Sequence, residues 1–446
     1  MSNEPTSEVS DHRAHLASRL SYGYLTVAVV LVATYIVVLH EAPWLWIAYW
    51  AVGLALTALS PWRPAFGVAA YAFTFYGTPR YSDLFVTLAQ SGLLHWQVAL
   101  AATGTAIWLF RSGRTPRFGS PILLAAIALF VWGGIAAALA SAGSVPSVAG
   151  VRHSSLFLVH ALVLLIVASE AMQQRTAPLV WTVLLCAGLA VRITWQGLDG
   201  IFLEGDLGPT VLMVVPFIVL LARTEASPLL RVSMWSLAIA GVASAALTYN
   251  RATAVAFCAM ALVFLWRYRR AVWVLLSGLS VLVVMSAWFA TSPYAERFRN
   301  ALAELGGTAT GSVTERFQLW RVGFSIVSTH PFFGVGPGRY AGEVGDVTEN
   351  LRGMAAHNTF VQIAAETGLP ALVLFVALFA LVMISAQKAS RAEHRLSAES
   401  TGGAIQTSLV VYIVAGLFVS RHDMAMAYIL AGWSAALATV GPRPNA

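Results

Sequence analysis

The chain has 446 residues, of which 58% are hydrophobic and only 11% are charged, and its formal net charge is +7. A soluble domain carries about 25% charged residues, so this composition excludes a water-soluble enzyme and indicates a surface that mostly faces lipid. The positive charges lie in short loops between apolar runs rather than in a basic arm, which argues against nucleic acid as a partner. The two cysteines, Cys186 and Cys258, lie inside apolar runs and indicate neither a disulfide framework nor a metal site.

The N-terminal segment is polar, and Arg13 and Arg19 precede the first apolar run. No small-residue cleavage site follows, so we expect an uncleaved first helix rather than a signal peptide. A helix needs about 20 predominantly apolar residues to span a membrane, and the candidates predict an all-α integral membrane protein, a polytopic bundle of about 12–14 transmembrane helices. They fall at about 22–39, 44–60, 65–77, 92–110, 119–140, 156–169, 177–193, 209–222, 233–249, 252–266, 271–290, 359–385, 405–420 and 424–440.

The distribution of basic residues predicts the orientation, because cytoplasmic loops carry an excess of Lys and Arg. With the N-terminus inside, every inner loop is basic, and the longest loop, 291–358, is extracytoplasmic. We expect this loop to contain short helices and the catalytic motifs, between N-terminal helices in 1–290 and C-terminal helices in 359–446, all in one integrated domain. The inner basic residues are Arg63, Arg111, Arg114, Arg117, Arg175, Arg223, Arg231, Arg267, Arg269, Arg270, Lys388, Arg391, Arg395 and Arg443.

The basic residues assigned to the outer side are all arginines. Arginine offers planar, bidentate donors that suit phosphate, and as a set these residues indicate an anion-binding surface. Some of them would instead pair with loop carboxylates such as Glu296, Glu304 or Glu343. The set comprises Arg80, Arg152, Arg192, Arg251, Arg297, Arg299, Arg316, Arg321, Arg339, Arg352 and Arg421.

The long loop contains a helix signal. Ser312 and Glu315 have the spacing of a capping box, which predicts a helix that starts at Ser312. Four large apolar residues then recur at spacings of 3, 4 and 3, which predicts one apolar face. Such a helix would lie on the membrane surface or pack on the mouth of the bundle. The four residues are Phe317, Trp320, Phe324 and Val327.

Glycines and prolines follow this helix in the run His330-Pro-Phe-Phe-Gly334-Val-Gly336-Pro-Gly338. They predict tight turns that let the backbone approach a neighbour or a ligand. The run does not follow a strand, so its context excludes a dinucleotide-binding or phosphate-binding loop.

Two residues at helix starts carry a clear chemical signal. His357 precedes the span that begins near residue 359, and the positive end of a helix favours the neutral imidazole that a general base requires. Arg251 lies in a very short break between two apolar runs, where a charge is costly unless it faces a cavity or a partner. Each also has a structural interpretation, as a helix cap or interfacial residue for His357 and as a side chain that reaches the interface for Arg251.

Together these segments resemble the O-antigen ligase and polymerase superfamily of bacterial membrane glycosyltransferases. The resemblance covers roughly residues 245–385, and Asn250 stands where the family commonly has Ser. Its motifs are Arg251 between two helices, Arg316 with Trp320 in the loop helix, the run from His330 to Gly338, and Ala356-His357-Asn358 leading through Glu366-Thr-Gly368-Leu-Pro370 into the next helix.

The resemblance implies an enzyme that moves a glycan from an undecaprenyl-pyrophosphate carrier to a lipid or glycan acceptor, without metal or cofactor. The site would face the periplasm or exterior from the bacterial inner membrane, among membrane lipids. It implies that Arg251 and Arg316 hold the pyrophosphate and that His357 activates the acceptor hydroxyl, with inversion at the anomeric carbon. Further expected substrate-binding residues are Arg152, Arg192, Trp320, Arg321, Arg339, Asn358 and Arg421.

Several functions remain open at this stage. A lipid A–core acceptor would define a ligase, a second lipid-linked repeat a polymerase, and a protein acceptor a protein O-oligosaccharyltransferase. A polysaccharide or anion transporter would place its unusual residues near the midplane in two corresponding halves, whereas here they cluster at one face. A non-enzymatic scaffold would leave the outer arginines without a ligand. For Glu366, two and a half turns beyond His357, a place in the bundle interior and a purely structural role are both open.

Overall fold

The fold was analysed in a computed structural model, and throughout its described residues every regular element is a helix, with no strand. The described residues are 53–64, 66, 93–112, 120–140, 207–248, 250–268, 295, 299–300, 302–304, 306, 312–347, 349–392, 401–420 and 424–439. The helices are α1 (Leu93–Ser112), α2 (Pro121–Ala140), α3 (Leu207–Thr224), α4 (Pro228–Leu247), α5 (Arg251–Tyr268), α6 (Ser312–Thr329), α7 (Tyr340–Val347), α8 (Thr359–Ala392), α9 (Thr401–Gly416) and α10 (Ala425–Thr439), with a 3-10 turn at Glu349–Leu351.

Four of the described helices, α2, α3, α4 and α8, are long and apolar enough to cross a membrane. The all-α, multi-pass membrane class that the composition predicts is therefore confirmed. Eight of the candidate spans overlap α1 to α5 and α8 to α10, and the predicted ends differ from the observed ones by at most seven residues. The candidates at 22–39, 156–169, 177–193 and 271–290 lie outside the described residues, as do all of 65–77 except residue 66 and most of 44–60. The total of 12–14 helices therefore stays a prediction.

Helix α3 lies at the centre of the bundle. It is apolar on all sides, and residues 211–218 are buried, as expected of a helix surrounded by other helices. It packs against α4, α5 and α9, and its Phe217 ring stacks on Trp433 of α10 at a centroid distance of 4.8 Å. Helix α4, in contrast, turns Leu229 and Ile239 outward, which suits a helix in contact with lipid.

Several of the described helices place basic residues at one end of the bundle. The C-terminal ends of α3, α5 and α8 and the N-terminal end of α4 lie at this end. The start of α9 lies there too, because the Arg267 guanidinium at the end of α5 donates a hydrogen bond to Gln406 of α9. At the opposite end α5 begins, α8 begins, and Thr359 donates to the carbonyl of Val419, just beyond α9. We call this second end the site end. The basic residues at the first end are Arg223, Arg231, Arg267, Lys388 and Arg391.

Candidate active site

Arg251 is placed by the turn between α4 and α5. The side-chain oxygen of Asn250 accepts a hydrogen bond from the Ala252 N–H at 2.8 Å, so Asn250 caps α5. Asn and Ser are equally good at this position, so the departure at Asn250 from the pattern of the resemblance leaves the helix cap intact. The Arg251 Nη1 donates to the Ser312 hydroxyl at 3.1 Å, which links the start of α5 to the start of α6.

Arg316 lies one turn into α6 and is partly buried. Burial lowers the pKa of its guanidinium, the nearby charge of Arg251 lowers it further, and Glu304 partly offsets both effects by raising it. Two guanidinium groups are thus within electrostatic range of each other in a partly desolvated place. Holding like charges together is costly, and an anion bound between them would relieve that cost.

Glu304 has a second contact that fixes its position. Its Oε2 accepts a hydrogen bond from the N–H of Val313 at 2.6 Å, in the first turn of α6. A carboxylate there is stabilised by the positive end of the helix dipole. The predicted start of the helix at Ser312 is therefore confirmed, with Glu304 as an acceptor for its first turn, while the Ser312 hydroxyl faces Arg251.

The apolar residues predicted to share one face of this helix are not its inward face. Phe317 and Phe324 are 49% and 62% exposed, which suits a helix that lies on the membrane surface, and the Phe317 and Trp320 rings are in contact, with centroids 5.5 Å apart. The residues that pack inward are Leu319, Val322, Gly323 and Ile326, because a Cβ at Gly323 would overlap Val361 and the helix approaches α8 most closely on its glycine side. The Trp320 indole N–H points toward the site and donates to the carbonyl of Ala356 at 2.9 Å.

The glycine-rich run after α6 docks on a break in α8. Gly368 has φ 84° and ψ 170°, which interrupts the helix, and Pro370 offers no N–H to the carbonyl of Glu366. The N–H groups of Val335 and Gly336 replace the missing donors, at 3.0 Å from the Ala365 carbonyl and 2.9 Å from the Glu366 carbonyl. The predicted close approach of this run to a neighbour is therefore confirmed.

Two further contacts complete the break. The Leu369 N–H donates to the carbonyl of Pro331 at 2.8 Å, and the indole of Trp132 in α2 donates to the carbonyl of Thr367 at 3.0 Å. The Trp132 ring also stacks on Phe333, with centroids 5.4 Å apart. Backbone groups that the break removes from the helix thus find partners, so the break is a rigid feature of the fold.

His357 stands immediately before the cap of α8. It is partly exposed and has φ 50°, the one positive φ among the non-glycine residues that the structure describes. The next residue, Asn358, caps the helix, because its side-chain oxygen accepts from the N–H groups of Phe360 and Val361 at 2.9 and 3.1 Å. The predicted position of His357 at a helix start is confirmed, and the Asn358 side chain serves the helix.

A polar network lies beneath His357. Gln362 and Glu366 follow Asn358 at intervals of four, so all three lie on one face of α8, and each is buried. Glu366 therefore does sit in the bundle interior. Burial raises the pKa of the Tyr340 hydroxyl, with a further contribution from the charge of Glu366, and this hydroxyl donates to the carbonyl of Leu319 in α6.

The remaining candidate residues are placed only in part. Arg321 is exposed on α6, and Arg339 is partly buried just before α7. Arg152, Arg192 and Arg421 lie outside the described residues. In the part of the chain that the structure describes, no three His, Cys, Asp or Glu side chains are grouped so that they could hold a metal ion.

Residues 236–376 match the family described as O-antigen ligase. The resemblance to the O-antigen ligase superfamily is confirmed over this segment. The match covers about a third of the chain. A search of curated proteins found none that matches the chain. The O-antigen ligase-like segment runs from α4 into the first half of α8. It indicates a membrane glycosyltransferase-like enzyme of the ligase or polymerase type.

The O-antigen ligase-like segment brings together most of the predicted site. Arg251 contacts the start of α6, Arg316 follows on that helix, and Trp320 one turn later reaches the residue before His357. These contacts form one continuous path along α6 between the arginine pair and the histidine. Arg339 and Asn358 are also in the segment.

Several residues that contact the candidate site were not predicted from the sequence. Gln362 had a usable signal, since polar residues at intervals of four in an apolar span indicate a buried polar face. The contact of Ser312 with Arg251 and the contact of Trp132 with the break join positions 61 and 235 residues apart. Periodicity along one element has no signal for such pairs.

Proposed function

We propose that this chain is an O-antigen ligase-like glycosyltransferase. It moves a glycan from an undecaprenyl-pyrophosphate carrier to a lipid A–core or similar acceptor, at the periplasmic face of the bacterial inner membrane. The observation that carries the proposal is the pair of guanidinium groups of Arg251 and Arg316, held within electrostatic range of each other in the segment that matches the O-antigen ligase family.

The arginine pair suits a pyrophosphate. Each guanidinium offers parallel N–H donors to phosphate oxygens, and a doubly charged diphosphate satisfies two cations at once. The pKa of Arg316 is lowered because burial and Arg251 both oppose its charge. The negative charge of a bound pyrophosphate offsets the repulsion between the two guanidinium groups. The arginine pair is therefore suited to a substrate that supplies negative charge.

The transfer step balances without a further reactant. An acceptor hydroxyl oxygen forms a bond to the anomeric carbon, the bond from that carbon to the carrier phosphate oxygen breaks, and undecaprenyl pyrophosphate leaves with the electron pair. His357 takes the proton of the hydroxyl as general base. Arg251 and Arg316 stabilise the charge that grows on the leaving pyrophosphate. Attack opposite the leaving group inverts the anomeric centre.

The distribution of charge supports the proposed sidedness. The basic ends of α3, α4, α5 and α8 lie at the end of the bundle opposite the site end, and a basic end is typical of the cytoplasmic side. The arginine pair and His357 are then on the periplasmic side, where a lipid-linked glycan presented outside the cytoplasm would reach them.

A transfer assay with purified, detergent-solubilised protein tests the proposal. The donor is an undecaprenyl-pyrophosphate-linked glycan in EDTA, offered with lipid A–core, with a protein acceptor, or alone. Product only with lipid A–core supports the ligase assignment. Elongated product from the carrier alone identifies a polymerase, and product with the protein acceptor identifies a protein O-oligosaccharyltransferase. Absence of product in all three arms contradicts the glycosyltransferase, and transport of an anionic polysaccharide becomes the function to test.

A further inference from the structure

The backbone at His357 is held in an unfavourable conformation. A φ of 50° is the left-handed region, which is unfavourable for a non-glycine residue and persists only where surrounding contacts maintain it. Such contacts surround His357: the carbonyl of Ala356 accepts a hydrogen bond from Trp320, and the N–H groups of Ala356 and Asn358 each donate one.

Both flanking N–H groups lead to one side chain. The Oε1 of Gln362 accepts from the Ala356 N–H at 2.8 Å and from the Ser420 hydroxyl at 3.2 Å. The Ser420 oxygen in turn accepts from the Asn358 N–H at 3.2 Å. Gln362 therefore connects to the chain directly before His357 and, through Ser420, directly after it.

Glu366 determines which way the Gln362 amide points. A backbone N–H can only donate and a carboxylate can only accept, so the oxygen of Gln362 must face Ala356 and its Nε2 must face Glu366. The Nε2 does donate to Glu366 Oε1. Gln362 and Glu366 are 6% and 2% exposed, so water cannot readily replace either bond.

We propose that Gln362 is a positioning residue for His357, with Glu366 orienting its amide and Ser420 carrying the contact to Asn358. This inference rests on the proposed function and deepens it. We call Gln362, Glu366 and Ser420 the positioning set. It holds the imidazole where the acceptor hydroxyl arrives, and through Ser420 it connects the backbone next to His357 with the segment that follows α9. Loss of the set displaces His357 without touching the arginine pair.

Kinetics separate positioning from simple stability. Gln362→Leu removes the hydrogen bonds to Ala356, Ser420 and Glu366. We expect kcat to fall about 10²-fold, the size of effect expected when a catalytic group is misplaced by about 1 Å. The KM for the carrier-linked donor should change less than about threefold, because Arg251 and Arg316 are untouched. Thr367→Val is the matched control, because it removes a similarly buried hydrogen bond, to the Ile363 carbonyl, from the same helix.

An exchange of the two side chains tests the network itself. Gln362→Glu alone places two carboxylates against each other in a buried site and should lower kcat about as much as Gln362→Leu. Adding Glu366→Gln restores one acceptor for Ala356 and one donor between the two side chains, so most of the lost kcat should return. Failure of the exchange to restore kcat above that of Gln362→Glu contradicts the proposal.

A chemical measurement keeps the inference apart from the proposed function. Diethyl pyrocarbonate modifies accessible imidazoles, and peptide mass spectrometry gives the modification rate at His357, with the exposed His330 as internal reference. Gln362→Leu should change the rate at His357 at least about threefold and leave that of His330 unchanged. If the wild type transfers no glycan, the proposed function fails while this rate still tests the positioning set. Equal rates in wild type, Gln362→Leu and Thr367→Val, or equal kcat in the two variants, overturn it.

Discussion

The two halves of the candidate site are built in opposite ways. The arginine half, Arg251 and Arg316, brings like charges together beside Glu304, which offsets only part of the unfavourable effect on the pKa of Arg316. The histidine half fixes the backbone on both sides of His357 with bonds from α6, α8 and the segment after α9. The first half is completed by a charge that arrives with the substrate, whereas the second is complete in the protein alone.

This difference indicates that substrate binding and catalysis depend on different parts of the site. We expect the arginine pair, whose positive charges are only partly offset by the protein, to supply most of the binding energy for the carrier. We expect the hydrogen-bonded backbone around His357 to fix the catalytic geometry. Variants of the two halves should therefore alter different kinetic parameters.

The largest effect is expected at His357. His357→Ala removes the general base and should lower kcat about 10²- to 10⁴-fold, with little change in carrier binding. Steady-state kinetics with saturating donor measure this loss. His330→Ala is the control, since His330 is an exposed residue at the end of α6 whose Nδ1 lies 3.0 Å from the Thr329 hydroxyl. Equal activity of the two variants would remove His357 from the mechanism.

The arginine half should follow with a loss of about 10²- to 10³-fold in kcat/KM for Arg251→Ala or Arg316→Ala. Part of it should appear as a higher KM for the carrier. Lysine at either position should restore little, because an ammonium lacks the bidentate geometry. Arg391→Ala, at an exposed arginine at the opposite end of the bundle, is the control. Full activity of Arg316→Lys would argue for a point charge rather than planar recognition.

The rigid frame of the histidine half depends on Gly368. A Cβ there would collide with the carbonyl of Phe332, and φ is 84°, so Gly368→Ala should cost more than the roughly 1–3 kcal/mol of the backbone strain alone. Gly353→Ala is the matched control, with the same φ and nothing within 4 Å of its Cβ. Thermal unfolding in detergent compares them, and equal Tm values would mean that the break in α8 is not a rigid feature.

The smallest effect is expected at Glu304. Glu304→Gln keeps an acceptor for the Val313 N–H but removes the charge that raises the pKa of Arg316. A neutral neighbour competes less with pyrophosphate, so carrier affinity should rise about 2- to 5-fold, within the ~1 kcal/mol range of partly exposed ion pairs. A binding isotherm for the carrier measures it. Weaker binding would instead assign Glu304 a role in holding the arginine pair in place.

Much of this architecture could be predicted from local sequence. Long apolar runs predicted the spans, Ser312 predicted the start of α6, and the glycines from Gly334 to Gly338 predicted a close backbone approach. Each of these signals lies within one element, where periodicity and turn chemistry act directly.

What local sequence could not predict is which element a residue meets. The inward face of α6 is set by the close approach of Gly323 to Val361, whereas the large apolar residues Phe317 and Phe324 are exposed. The polar face of Gln362 and Glu366 was visible as a spacing, but its partner Ser420 is 58 residues away from Gln362. Tertiary packing decides such contacts.

The measurement that tests the division of the site most directly is equilibrium binding of undecaprenyl pyrophosphate, without glycan, to wild type, His357→Ala and Arg316→Ala in the same detergent. We expect His357→Ala to bind as tightly as wild type, although its kcat is about 10²- to 10⁴-fold lower, and Arg316→Ala to bind at least about tenfold more weakly. Wild-type affinity in Arg316→Ala, or an equal loss in both variants, would contradict it.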